Sequence, residues 1–280
     1  MPSLELIIEA TVVMVALMLL SIKAGFVDPG GLISSFIIGY TIYIFGGRLF
    51  FIPLLIFYVI AGLITKVRYE EKRLKGAAEE KFGARGWRNV LANGGVAAAI
   101  VYIAAYAHSV PKPELLAAYL GAVSTAYADT LATEIGLLYP GEPRLITSMK
   151  SVSAGTPGGV SPYGTAAQLL SAFTIVPVTV LFLPTGDKIT AFLSLLIIVL
   201  VSSFLGSTFD SLIGATVQAV YRCKVCGKTT EKRIHCNVET QRLKGIKYVD
   251  NSVVNLTATI VGAALAYALV HFGVISFEII

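Results

Sequence analysis

Two carboxylates and a glycine-rich loop stand close together in one stretch of the chain, 128–164, which reads ADTLATEIGLLYPGEPRLITSMKSVSAGTPGGVSPYG. Asp129 and Glu134 sit in an otherwise apolar segment. A carboxylate at mid-bilayer depth costs roughly 2.5–3.5 kcal/mol, so an ionisable group there is read first as functional. On an α-helix, at about 100° per residue, the two point roughly 140° apart, so they line one wide cavity or face different neighbours. Asp210 is a third such group. It belongs to a stripe of Ser203, Gly206, Ser207, Asp210, Ser211 and Gly214, whose small side chains let another helix approach closely. Carboxylate oxygens of this kind hold a hard cation such as Mg²⁺, which keeps several of its waters. The structural alternative for all three is interhelical hydrogen bonding.

The loop supplies the complementary chemistry. Gly155, Gly158 and Gly159 let the backbone approach a ligand, and Pro162 suits the first turn of a helix opening after Ser161. Free N–H groups at a helix start, with the helix dipole, attract a phosphate. Arg144 and Lys150 upstream add positive charge. No Gly-Lys-Ser/Thr follows, so this is not a Walker loop. Asn93 and Asn251 stand near the starts of two further apolar segments, where an asparagine either caps a helix or holds a phosphate oxygen or a metal-bound water. Separately, Cys223-x-x-Cys226 with His235-Cys236 has the ligand types of a small structural Zn²⁺ knuckle. The alternative is three reduced thiols. A disulfide framework is not expected, because all three cysteines fall within this one loop.

These groups need elements to carry them, and the composition says which. The chain of 280 residues is 55% hydrophobic and 14% charged, with a mean hydropathy of +0.76, against about 25% charged residues in soluble chains. The expected fold is an all-α polytopic bundle of transmembrane helices forming one membrane domain. Eight candidate spans are expected at 4–22, 30–46, 50–65, 90–107, 115–138, 164–183, 189–217 and 253–272, given the roughly 20 apolar residues a span needs. The second and third flank a tight turn at Gly46-Gly47-Arg48 and could equally form a re-entrant pair. A faint echo between Ser124-Thr125…Asp129-Thr130 and Ser207-Thr208…Asp210-Ser211 hints at an internal repeat. Residues 1–20 carry Glu5 and Glu9 where a secretory signal would carry basic residues.

Charge placement sets the orientation. With the N-terminus outside, nearly all of the 22 Lys and Arg residues fall in inner loops, and Arg48, Lys112 and Lys188 remain outside. The net charge of +5 therefore reads as a topology signal, and no nucleic-acid partner is expected. Asp28, Asn93, Asp129, Glu134, Lys150, the glycine-rich loop, Asp210 and Asn251 then lie near cytoplasmic ends of spans. The outer ends hold little beyond His108, the turn at Pro111 and His271. That asymmetry favours chemistry at one membrane face over transport. The charged segment 69–88 reads as a basic amphipathic stretch on anionic lipid, with Arg85 or Arg88 as the alternative steering group for an anionic substrate.

The motifs ANGGVAA (92–98), ADTLATEIG (128–136), PRLITSMKSVSAGTPGGVSPYGT (143–165) and GSTFDSLIGATVQ (206–218), continuing through the Cys loop to Asp250-Asn251 and Asn255, resemble one family of integral membrane proteins. It includes the plant phytyl-phosphate kinase of vitamin E synthesis and archaeal relatives. The resemblance implies a prenyl-phosphate kinase that moves the γ-phosphoryl of CTP or another nucleoside triphosphate onto a prenyl monophosphate; the charge placement turns its site to the cytoplasm, and for a prokaryotic source the membrane is the plasma membrane. Asp129, Glu134 and Asp210 would then hold Mg²⁺. Lys150, Arg144 and the loop from Gly155 through Gly158 and Gly159 to Ser161 would hold the triphosphate. Asn93 and Asn251 would orient phosphate or metal water, and spans four to eight would form a lipid-open groove for the prenyl chain. The competing expectations are a CTP-dependent lipid nucleotidyltransferase, a phosphate or prenyl-carrier transporter, and a zinc-stapled scaffold without catalysis.

Overall fold

The computed structural model describes residues 2–75, 80–106, 112–227, 229–231 and 233–279. His108, Pro111, Lys228 and Lys232, which entered the orientation argument, lie outside the described residues. The helices are α1 (Leu4–Ala24), α2 (Pro29–Lys66), α3 (Tyr69–Leu74), α4 (Glu80–Gly83), α5 (Trp87–Tyr106), α6 (Lys112–Gly136), α7 (Pro162–Leu170), α8 (Ala172–Phe182), α9 (Lys188–Thr216) and α10 (Asn251–His271). Short strands fill two loops. β1 (Arg144–Leu145) pairs antiparallel with β2 (Gly159–Val160). Between α9 and α10 lie β3 (Val220–Arg222), β4 (Thr229–Thr230), β5 (Ile234–His235), β6 (Val238–Glu239) and β7 (Gln241–Lys244), forming a β4-β3-β7 sheet and a β5-β6 hairpin.

Among the described residues, α1, α2, α5, the α7–α8 pair, α9 and α10 are long and apolar enough to cross a membrane. The molecule is a polytopic helical membrane protein. The expected second and third spans are the two halves of α2. A straight helix of its 38 residues would run about 57 Å. Instead Gly47 takes φ 65°, ψ −165° and breaks the helix, and both ends of α2 meet Arg85. The Asp28 amide donates to the Arg85 carbonyl at 3.0 Å, and the Arg85 guanidinium donates to Thr65 Oγ1 at 3.5 Å. Glu9 of α1 fastens the turn, accepting from Arg48 at 2.5 Å and from Tyr43 at 2.7 Å.

The expected fifth span, α6, is the axis of the bundle. Every residue from Leu116 to Ala128 is buried. A helix buried on all sides need not be greasy, because no face meets lipid, and α6 uses Ala, Gly, Ser and Thr to let its neighbours close in. A Cβ at Gly121 would collide with the Gly262 carbonyl of α10, and one at Gly206 of α9 would come within 2.6 Å of Thr125. Thr125 is thus held between two glycines, and the backbones of α6, α9 and α10 converge around it. Lipid-facing positions carry the large apolar side chains, such as Leu4, Val12, Leu181 and Ile189, each more than half exposed.

The segment after α2 departs from the expected solvated stretch on lipid. It folds back against the bundle, and Lys72 is 1% exposed. Arg85 pairs its backbone with Phe26 and Asp28, its own amide donating to the Phe26 carbonyl at 3.0 Å. The reason is a buried countercharge on α6, described next.

Candidate functional site: a polar network at the head of an apolar slot

The glycine seam around Thr125 decides what lies beyond it. One turn further along, α6 presents Asp129 and α9 presents Asp210. Ser207 donates to Asp129 Oδ1 at 3.0 Å, and the two carboxylates lie within electrostatic reach of one another. α10 closes the third side. With its amide nitrogen turned toward the acceptors, Asn255 donates to Asp210 Oδ2 at 3.2 Å and to the Asn251 carbonyl at 3.0 Å; the opposite amide orientation would instead donate to Asn93 Oδ1 of α5 at 3.4 Å. Asn93 donates to Asn89 Oδ1 at 3.1 Å, and that oxygen also accepts from Arg85 at 3.2 Å. Asn93 lies well inside α5, so it is not a helix cap. The capping residue of α10 is Asp250, which accepts from the Val253 amide at 3.2 Å and pairs with Arg88 at 2.7 Å.

Asp129 and Glu134 face different neighbours, the second of the two arrangements their spacing allows. Glu134 is 4% exposed and turns toward α2 and α3. Its Oε2 pairs with Lys72 at 2.7 Å. Its Oε1 accepts from Thr65 at 3.0 Å and faces Arg85 at 3.7 Å. Lys72 also donates to the Ile64 carbonyl at 2.8 Å, at the end of α2. Both oxygens of Glu134 are therefore already engaged with protein donors. Asp129 and Asp210, by contrast, make no ion pair with a side chain among the described residues. Two close carboxylates repel unless a cation or proton lies between them, and their oxygen donors suit Mg²⁺. Arg85 is within electrostatic reach of Asp129, so one guanidinium stands between the Glu134 pocket and the acid pair.

Arg85, Asn89 and Asn93 are also the polar end of a cavity. It lies among α1, α2 and α5, is open on one side, and holds about 100 Å³ of space for water-sized molecules. Its walls are apolar, from Met14 and Leu17 of α1 through Phe36, Phe51, Leu54 and Phe57 of α2. The expected groove among spans four to eight is not where this cavity lies; the first three spans build most of it.

The glycine-rich loop reaches the same end of the bundle. Gly155 and Gly158 have φ of 79° and 76°. A Cβ at Gly158 would come within 2.6 Å of the Ser211 carbonyl, so the loop rests on α9 one residue beyond Asp210. Pairing of β1 with β2 brings Gly159 opposite Leu145. Ser161 caps α7, accepting from the Gly164 amide at 3.2 Å. Arg144 and Lys150 are exposed on the loop, with Arg144 donating to the Met149 carbonyl at 2.9 Å. Neither pairs with the acidic residues among the described residues.

The cysteine loop has its own cluster. The ligand atoms of Cys223, Cys226, His235 and Cys236 all lie within 4.8 Å of one another. The amide of Cys226, aimed at the Cys223 sulfur, draws that thiol down to about 6.

Three members of the polar network were not singled out by sequence reasoning: Lys72, Thr65 and Asn89. Lys72 sits in a charged run that reads as solvated, Thr65 closes an apolar helix, and Asn89 precedes a recognisable motif by three residues. The signal that could have found Lys72 is the need of a buried Glu134 for a countercharge.

Long apolar helices around a buried acid–amide–arginine cluster and an apolar cavity define a polytopic membrane protein. The chain belongs to the integral membrane protein DUF92 family, whose model matches residues 12–263. It is 31% identical over 262 residues to Protein PGR of Arabidopsis thaliana, covering 88% of this chain and 89% of the relative. It is 30% identical over 243 residues to an uncharacterized membrane protein of Methanocaldococcus jannaschii, covering 87% and 85%. It is 25% identical over 247 residues to Protein VTE6, chloroplastic, of Arabidopsis thaliana, covering 88% of this chain and 66% of the relative. No solved structure matches the chain.

Proposed function

We propose that the protein is a prenyl-phosphate kinase, transferring the γ-phosphoryl of CTP or another nucleoside triphosphate to a prenyl monophosphate at the cytoplasmic face of the membrane. The observation that carries this reading is the apolar slot lined also by Arg85, Asn89 and Asn93, with Asn255 packed beside Asn93 and its amide turned to Asp210. A molecule with a long hydrocarbon tail and an anionic head fits that layout. Its tail lies against Met14, Phe51 and Phe57, and its phosphate meets Arg85 and the two asparagines. The sequence motifs of the phytyl-phosphate kinase family support the same assignment.

Phosphoryl transfer needs positioning and charge neutralisation more than covalent help from the protein. An oxygen of the prenyl monophosphate attacks the γ-phosphorus, and the bond to the bridging β–γ oxygen breaks. The nucleoside diphosphate leaves with that electron pair. The attacking oxygen is already anionic, so no general base is required. Mg²⁺, when bound, neutralises the triphosphate oxygens. Asp129 and Asp210 would hold it, with Ser207 fixing the Asp129 carboxylate. Arg85 and Asn93 orient the acceptor phosphate. Glu134 has a different part from the one its sequence position suggests: it holds Arg85 and Lys72 in place. The amides from Gly158 to Ser161, with Lys150 and Arg144 at the solvent side and Asn251 across from them, receive the nucleotide.

The test is incubation of the purified protein with γ-labelled CTP or ATP, Mg²⁺ and geranylgeranyl or phytyl monophosphate. Label entering the lipid phase with release of nucleoside diphosphate is expected, and Asp129→Asn should lower that rate by more than about 100-fold while the protein still elutes as a folded species. Pyrophosphate as the by-product would make the enzyme a nucleotidyltransferase, and wild-type turnover in Asp129→Asn would remove Asp129 from the site.

A further inference from the structure

The loop between α9 and α10 buries Ala219, Val220 and Tyr221 at its base, but little beyond them. All four residues of β7 are exposed, and β4 and β6 are at most half-buried. A segment this small rarely holds one shape by burial alone and usually needs a cross-link or a metal. Cys223 and Cys226 come from the turn after β3, which closes by a bond from the Gly227 amide to the Cys223 carbonyl at 3.0 Å, with Gly227 at φ 72°. His235 and Cys236 come from the β5-β6 hairpin.

Adjacent residues in a strand point to opposite faces, so a consecutive His-Cys pair ordinarily makes a poor pair of ligands. Here Cys236 and Asn237 take φ of 52° and 58°. This left-handed turn brings the Cys236 sulfur back to the side of His235, 3.3 Å from its Nδ1. Cys226 Sγ lies 3.5 Å from the same nitrogen. With Zn–S bonds near 2.3 Å, tetrahedral ligand atoms stand about 3.7 Å apart. Four ligand atoms within 4.8 Å of one another are near that arrangement.

We propose that Cys223, Cys226, His235 and Cys236 form a closed structural Zn²⁺ site that clamps the polar ends of α9 and α10 together. Three thiolates and an imidazole are the donors of a tetrahedral zinc centre with no position left for substrate. The clamp acts on the two helices that carry Asp210 and Asn255. At the base of the same loop the Ala219 amide donates to the Val249 carbonyl at 2.8 Å, and Ile246 to Val217 at 2.9 Å. Lys244 donates to the Ala215 carbonyl at the end of α9, at 2.7 Å. Glu231, beside β4, lies within electrostatic reach of Asp210. The proposal does not depend on the phosphoryl-transfer reading.

Elemental analysis of the detergent-purified wild-type protein should find about one equivalent of zinc per chain. A mercurial that titrates the three cysteines should release it stoichiometrically to a chromogenic chelator. The double variant Cys226→Ser/Cys236→Ser should retain none. If that variant does not fold, wild-type protein loaded with Co²⁺ replaces it, and the visible bands of a tetrahedral thiolate site are expected. Zinc-free wild-type protein with freely titrating thiols, a Cys226–Cys236 disulfide in peptide maps, undiminished zinc in the double variant, or a Co²⁺ spectrum without thiolate bands would each overturn the proposal.

Discussion

Glu134 and Lys72 form the most enclosed charge pair in the molecule's described part, 5% and 1% exposed at the side chain. Breaking such a pair by removing one member is costly, about 3–5 kcal/mol, because the other charge stays buried. Lys72→Met should therefore destabilise the protein by about that amount, read as a lowered unfolding midpoint in detergent. Lys72→Met/Glu134→Gln should recover part of the loss, since the buried carboxylate is then neutral and only the less enclosed Arg85 loses a partner. A Lys72→Met protein as stable as wild type would show that the pair is not needed. The acidic residues were legible in the sequence because a carboxylate in an apolar run has few uses. Their cationic partners were not. Lys72 and Arg85 lie in a run with Glu70, Glu71 and Arg73 that looks like any solvated loop, and nothing local tells which lysine will be swallowed by the bundle. The same cost reads Glu134 as a metal ligand in the sequence, whereas its oxygens meet Lys72, Thr65 and Arg85; its spacing from Asp129 does not say which neighbour it meets.

At the scale of elements, glycine places the carboxylates. The approach of α6 to α9 and α10 is set by Gly121, Gly206 and Gly262 around Thr125, and Asp129 and Asp210 follow one turn later. Overpacking a seam of this kind costs about 1–3 kcal/mol and moves the backbones. Gly121→Val should separate α6 from α10, loosening the reach of Asn255 to Asp210 and lowering activity more than Gly95→Val, where a Cβ meets open space. Side-by-side turnover measurements on the two variants check this, and equal activity would mean that the seam does not set the site. Hydropathy made the spans readable, and the stripe from Ser203 to Gly214 showed that α9 would be approached closely. It could not show that α6, less apolar than its neighbours, would be their common axis. Nor does the sequence show that the two halves of α2 double back at Gly47 so that both ends meet Arg85, an arrangement shared by a pair of spans and a re-entrant loop.

For the whole molecule, polarity is distributed unevenly along the bundle. At one end a connected set of side chains runs from Lys72 through Glu134, Arg85 and Asn89 to Asn93, and Asn255, beside Asn93, turns its amide to Asp210. At the other, the described polar contacts are separate fastenings, such as Glu9 with Arg48 and Glu114 with His271 at 3.9 Å. The expected spans at 4–22, 30–46 and 50–65 read as plain apolar segments, because a cavity wall and a lipid-facing wall are built from the same side chains. Folded, they line the slot that leads to Arg85. The decisive measurement is to photolabel the protein with a prenyl monophosphate bearing a diazirine on its tail and map the adducts by mass spectrometry. Adducts on Met14, Phe51 and other slot residues of α1 and α2, suppressed by excess unlabelled geranylgeranyl monophosphate, are the expected result. Adducts confined to outward-facing residues such as Leu170, Leu181 and Ile197, insensitive to that competitor, would contradict a single site joining tail slot and polar network.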